Sequence, residues 1–117
     1  MKVYIDKLVY QALDEFYDAS MKKHIALDLP TVIAKIDRLE QAMYDFADKA
    51  GKIHVEPYRR DWKEAGYLEL YTEGFHFAYK IYALPDGERV LYYHDAVHDK
   101  SNYNPEEKQL TNQTIIN

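Results

Sequence analysis

His94 and His98 stand four residues apart in the segment LYYHDAVHDKSNYN. On a helix this spacing would put both imidazoles on one face, where they could share a metal ion. On a strand it would separate them by about 13 Å, too far for one ion. No HExxH pattern accompanies them, and the chain has no cysteine to complete a zinc site. No metal and no cofactor is expected. His98 taken alone has the intrinsic pKa for acid or base work near neutrality. The simpler alternative is an imidazole bonded to backbone at a strand end. His76 and Lys80 share a strand face with Glu69, and the three could form a site or a solvated sheet surface. Arg59, Arg60 and Lys63 flank Trp62, combining cations with an aromatic ring as nucleic-acid surfaces do. Asp61 and Glu64 in the same run favour a salt-bridged loop instead. There is no glycine-rich phosphate loop and no GxSxG elbow.

The whole chain bounds these readings. Its 117 residues, 47% of them apolar, suit one domain with a modest core. A net charge of −5 weighs against a domain that lives by gripping phosphate backbones. Acids such as Asp14, Glu15, Asp37 and Glu40 read most simply as solvated helix faces. The 12 tyrosines suit sheets, interfaces and stacking surfaces alike. The opening MKVYIDKLVY has no apolar run long enough for a leader or a membrane span, so a cytoplasmic protein with no membrane partner is expected.

The elements that must position these residues follow from periodicity. KVYI (2–5) reads as a strand, and Asp6 offers a helix cap. Val9, Ala12, Leu13, Phe16, Tyr17 and Met21 then recur at helical spacing up to about Lys23. Asp28 and Pro30 start a second helix, striped by Val32, Ile36, Leu39, Met43, Phe46 and Ala50 and stopped at Gly51. Pro57 breaks any helix through KIHVEPYRRDWKEAG. GYLELYT (66–72), FHFAYKIY (75–82) and RVLYYHDAVH (89–98) read as three strands of an antiparallel meander, joined by Thr72-Glu73-Gly74 and Pro85-Asp86-Gly87. The predicted fold is α+β in the order β-α-α-β-β-β, with a two-helix hairpin on one face of a small, mostly antiparallel twisted sheet. If Phe75, Phe77 and Leu68 face the helices, Tyr67, Glu69, Tyr71, His76, Lys80 and Tyr82 line an open face. A single domain over 1–100 is expected, followed by a polar tail over 101–117 with at most a short helix from about residue 105.

This layout resembles the RelE/ParE superfamily of bacterial type II toxins. The resemblance rests on KVYIDKLVYQALDEFYD, on GFHFAYKIYALPDGERVLYY and on AVHDK, in that order and spacing. The chain has His76 where members often have an arginine. The resemblance implies either a metal-independent endoribonuclease that cuts messenger RNA on the ribosome, or an inhibitor of DNA gyrase with no hydrolytic site. In both cases a cognate antitoxin is the implied partner, and a homodimer is a further expectation. For cleavage, the implied catalytic residues are His98 or His76 as base or acid, with Lys80 and Lys100 supplying charge. Arg59, Arg60, Lys63 and Tyr82 would bind substrate. The alternative of a different class is a non-catalytic module that binds a protein partner through the open face.

Overall fold

Asp6 ends the first strand and begins the first helix: its carboxylate accepts the Leu8 backbone N–H at 3.3 Å. The computed structural model describes residues 1–23 and 29–99. Strand β1 (Lys2–Ile5) leads into helix α1 (Lys7–Lys23), and α2 (Leu29–Asp45) runs on into a 3-10 turn over Phe46–Asp48. A short helix, α3 (Arg60–Glu64), precedes β2 (Leu68–Thr72), β3 (Phe75–Ala83) and β4 (Arg89–His98). Lys100, the Asp28 cap and the tail over 101–117, with its expected helix, lie outside the described residues.

The sheet order is β1-β4-β3-β2. β1 joins β4 in parallel, while β3 pairs antiparallel with β2 on one side and β4 on the other. Glu73 and Gly74 both take positive φ, which makes the β2–β3 connection a two-residue turn of the kind that follows strand twist. Arg38 of α2 pins that turn by gripping the Glu73 carboxylate through Nε and Nη2. The fold is α+β, with α1 and α2 on one face of the sheet.

One face of the sheet carries the core. Val9 and Leu13 of α1 and Leu39 and Met43 of α2 meet Phe75, Phe77, Tyr79, Leu91, Tyr93 and Ala96. Tyr93 sends its hydroxyl to the Met43 carbonyl at 2.8 Å, so its buried polar atom is satisfied. The register of β3 and β4 slips at Ala78/Tyr79. Ala78 faces Asp95 and Tyr79 faces Tyr93, which leaves His94 as the extra residue of a β-bulge.

The opposite, outer face is only partly open. Segment 55–66 folds across it: the Glu69 N–H reaches the Val55 carbonyl, and the Tyr58 N–H reaches the Glu69 carboxylate at 2.9 Å. Arg59 and Trp62 are each 1% exposed there. The expectation of a broken, irregular loop at 52–66 missed α3, because Pro57 lies ahead of the helix and does not interrupt it.

Candidate functional site

His76 projects from β3 onto the outer face and is enclosed on every side. Tyr58 stacks on its ring at 4.6 Å and 18°, and Tyr71 covers it at 4.4 Å. Its Nδ1 meets Glu69 Oε2 at 3.0 Å, and its Nε2 meets Asp99 Oδ1. Ionised carboxylates only accept, so both bonds form together when both ring nitrogens carry protons. Asp99 also accepts the Tyr71 hydroxyl at 2.6 Å. The hydrogen bonds from Tyr71 and then His76 hold the Asp99 carboxyl below its ordinary range. The assembly ties β2, β3, segment 55–58 and the end of β4 together. It leaves His76 no nitrogen free to take or give a substrate proton.

His98 lies on the other side of the sheet. It pairs with Phe75 in the ladder, and its ring sits 4.9 Å from Phe75 and 5.2 Å from Phe16 of α1. The bulge at His94 is the cause. Two successive residues, His94 and Asp95, are spent on the outer face, so the parity of β4 changes and His98 turns toward the helices. His76 and His98 therefore do not share a site, and His94 and His98 stand on opposite faces rather than along one.

The expected substrate-binding cations are also dispersed. Arg59 turns inward, holding Asp61 at 2.5 Å and Asp95 at 3.7 Å, with its guanidinium 4.7 Å from the Trp62 ring. Arg60 is open to solvent beside Glu64 at 3.9 Å, and Lys63 pairs with Glu56 at 3.3 Å. Thus the RRDWKE run is the salt-bridged structure that its own acids suggested, built as a helix.

Lys80 and Tyr82 do converge with other residues, on the uncovered part of the outer face. The Tyr82 hydroxyl and His94 Nε2 are 2.9 Å apart. His94 lies 4.4 Å from the Tyr92 ring and 5.0 Å from that of Tyr67, and Lys80 Nζ stands 4.8 Å above Tyr67. Tyr4 of β1 extends the row by stacking with Tyr92 at 6.4 Å. Burial, reinforced by Lys80, pushes the His94 imidazole below its ordinary value, against weaker opposing pulls from Asp6 and Asp95. His94 is thus a neutral imidazole near pH 7, able to accept the Tyr82 proton. Tyr4 and Tyr82 are 50% and 41% exposed, so the row is open to a ligand.

Sequence reasoning weighed His94 only as half of a metal pair, placed Tyr67 on the open face without a role, and left Tyr4, Tyr92 and Asp99 unassigned. The alternation of Lys80 and Tyr82 with core residues, and the firm Pro85-Asp86-Gly87 turn that sets β3 against β4, carried the signal for part of the row. The bulge that adds His94 left no comparable mark.

A scan against protein-family models finds no match for this chain, and a search of curated proteins finds none either. No helix among the described residues is long and apolar enough to cross a membrane.

Proposed function

We propose that this chain is a diverged RelE/ParE-like domain that acts by binding a protein target in the bacterial cytoplasm, with a cognate antitoxin as its natural partner. The main elements follow the β-α-α-β-β-β order that the resemblance implies, with α3 as an addition. One observation carries the binding reading: the row Tyr4–Tyr92–Tyr82–His94–Tyr67 across the outer face, exposed at Tyr4 and Tyr82 and half-buried at the other three. Tyrosines offer large contact area with a polar tip at low conformational cost, which is the composition of interface anchors. The residues expected to carry cleavage are arranged otherwise, with His76 locked and His98 turned to the helices.

A second reading, the metal-independent endoribonuclease, is favoured by a different observation. His94, Tyr82 and Lys80 place a neutral base, a hydroxyl and a cation on one accessible surface, the groups that 2′-hydroxyl attack on phosphate uses. Induced expression in a bacterial host separates the two. Growth arrest without RNA fragmentation, relieved by Tyr4→Ala/Tyr82→Ala, is the expected result. RNA fragments that disappear in His94→Ala would establish the nuclease instead. Normal growth on induction of a folded protein would sink both toxin readings.

A further inference from the structure

The two long helices carry one pattern twice. In α1, Tyr10, Asp14, Tyr17 and Met21 follow at steps of four, three and four residues, so they lie along one side of the helix. In α2, Ile33, Asp37, Glu40 and Tyr44 repeat those steps. Neither set belongs to the core, which takes Val9 and Leu13 from α1 and Leu39 and Met43 from α2. The two sides meet across the seam of the hairpin. Burial first, then Glu40 and Tyr44 from the facing helix, push the Tyr10 hydroxyl above its ordinary value. Tyr10 near the start of α1 thus neighbours Tyr44 at the end of α2, and Met21 with Leu29 and Ile33 marks the other end of the seam. These five apolar side chains are each 38–45% exposed, a continuous apolar strip on a helix flank that nothing else in the fold covers. The acids Asp14, Asp37 and Glu40 stand at its mid-length, and among the described residues none of the three forms an ion pair. The lysines of α1 lie at its two ends, while in α2 Arg38 turns to Glu73 and Lys35 reaches over Phe16.

We infer that this seam is the docking site for a basic amphipathic helix of a partner protein, laid along the hairpin as a third helix. The furrow between two packed helices accepts the side-chain ridge of another. An apolar stripe at i, i+3, i+4 and i+7 would meet Tyr10, Tyr17, Met21, Ile33 and Tyr44. The lysines or arginines beside that stripe would meet Asp14, Asp37 and Glu40, and a guanidinium would also lie well over the Tyr10 or Tyr44 ring. A second copy of this chain is the less suitable occupant. A two-fold pairing that covers the whole seam sets its middle on the middle of the other, so the three acids would face their own counterparts. The inference does not rest on the tyrosine row, which lies on the opposite face of the sheet and has a different chemistry.

The test uses the whole chain and a fluorescent leucine–lysine peptide patterned as an amphipathic helix, read by anisotropy with amide shifts along α1 and α2. The peptide should bind and perturb the amides of both seam-lining sides. Affinity should fall by about tenfold or more in Asp14→Lys/Asp37→Lys and in Tyr10→Ser/Tyr44→Ser. It should fall by less than about twofold in Glu15→Lys/Asp48→Lys, which changes the net charge by the same amount away from the seam. Equal binding of a peptide of the same composition with helix-breaking D-residues would remove the helical partner, and equal binding of a leucine–glutamate peptide would remove the basic one. Absence of binding at ~1 mM peptide, shifts confined to the outer face of the sheet, or dimerisation of the chain through the seam would overturn the assignment.

Discussion

Replacing His76 by alanine would leave the Glu69 carboxylate buried with one of its partners gone. Glu69 is 5% exposed and His76 6%. Removing one hydrogen-bond partner of a buried carboxyl group commonly costs about 1–3 kcal/mol, dominated by the group left behind. Denaturant unfolding of His76→Ala should show a loss of that order; a change too small to resolve would mean that the cluster is slack. His94 gives a second test at the same scale. Lys80 depresses its ionisation, so Lys80→Ala should move the His94 titration upward, as read from its ring proton by NMR. A shift downward or none would contradict the arrangement. The linked effect on stability has a definite sign. The fold favours neutral His94, so the unfolded chain takes up the proton first as pH falls below the ordinary imidazole value. The His94 contribution is therefore complete above about pH 6.5 and declines below it.

Strand β4 shows how much a single added residue decides. Around the bulge, Tyr93 and Ala96 face the core while His94 and Asp95 face outward. Deleting His94 would restore plain alternation with every other residue on its native face. Deleting Ala96 would send Val97 into the core position and turn His98 outward. By denaturant unfolding, the Ala96 deletion should cost at least about 2 kcal/mol more than the His94 deletion. Equal losses would mean that the bulge is indispensable to the strand. This element also marks the limit of what could be read beforehand. The apolar stripes and glycine turns placed β1, the first helix and the three later strands within two residues, because burial and turn chemistry act locally on the sequence; the second helix, expected to run to Ala50, ends at Asp45 and gives way to a 3-10 turn over Phe46–Asp48. The grouping of His76 with His98 came from the resemblance, and only an unbroken period of two along β4 would put both on the outer face. A bulge changes facing without changing composition, so no residue announces it. Likewise α3 was hidden because RRDWKE is too short for a periodic stripe; its stability comes from Trp62 and Arg59 packing on the sheet.

Across the molecule, two surface ties gather at one end of the sheet. Arg38 holds Glu73 at the β2–β3 turn, and Tyr71 with His76 holds Asp99 just after β4. The hydrogen bond from Arg38 keeps the Glu73 carboxyl below its ordinary range, as Tyr71 and His76 do for Asp99. For such depressed carboxylates the stabilisation is present above the ordinary carboxylate value and is lost as pH falls through the folded-state value. The denaturation midpoint should therefore drop between about pH 5 and about pH 3, and Glu73→Gln/Asp99→Asn should flatten that drop. An acid slope identical in the double variant would place the sensitive groups elsewhere. Trp62 adds one last consequence. It is the single tryptophan of the chain, it is 1% exposed, and it sits in the short helix laid over the outer face. Its tryptophan emission, excited selectively over the tyrosines, is thus a reporter of one event: a red shift that precedes loss of the far-ultraviolet dichroism would time the lifting of that helix from the sheet, separately from the melting of the core.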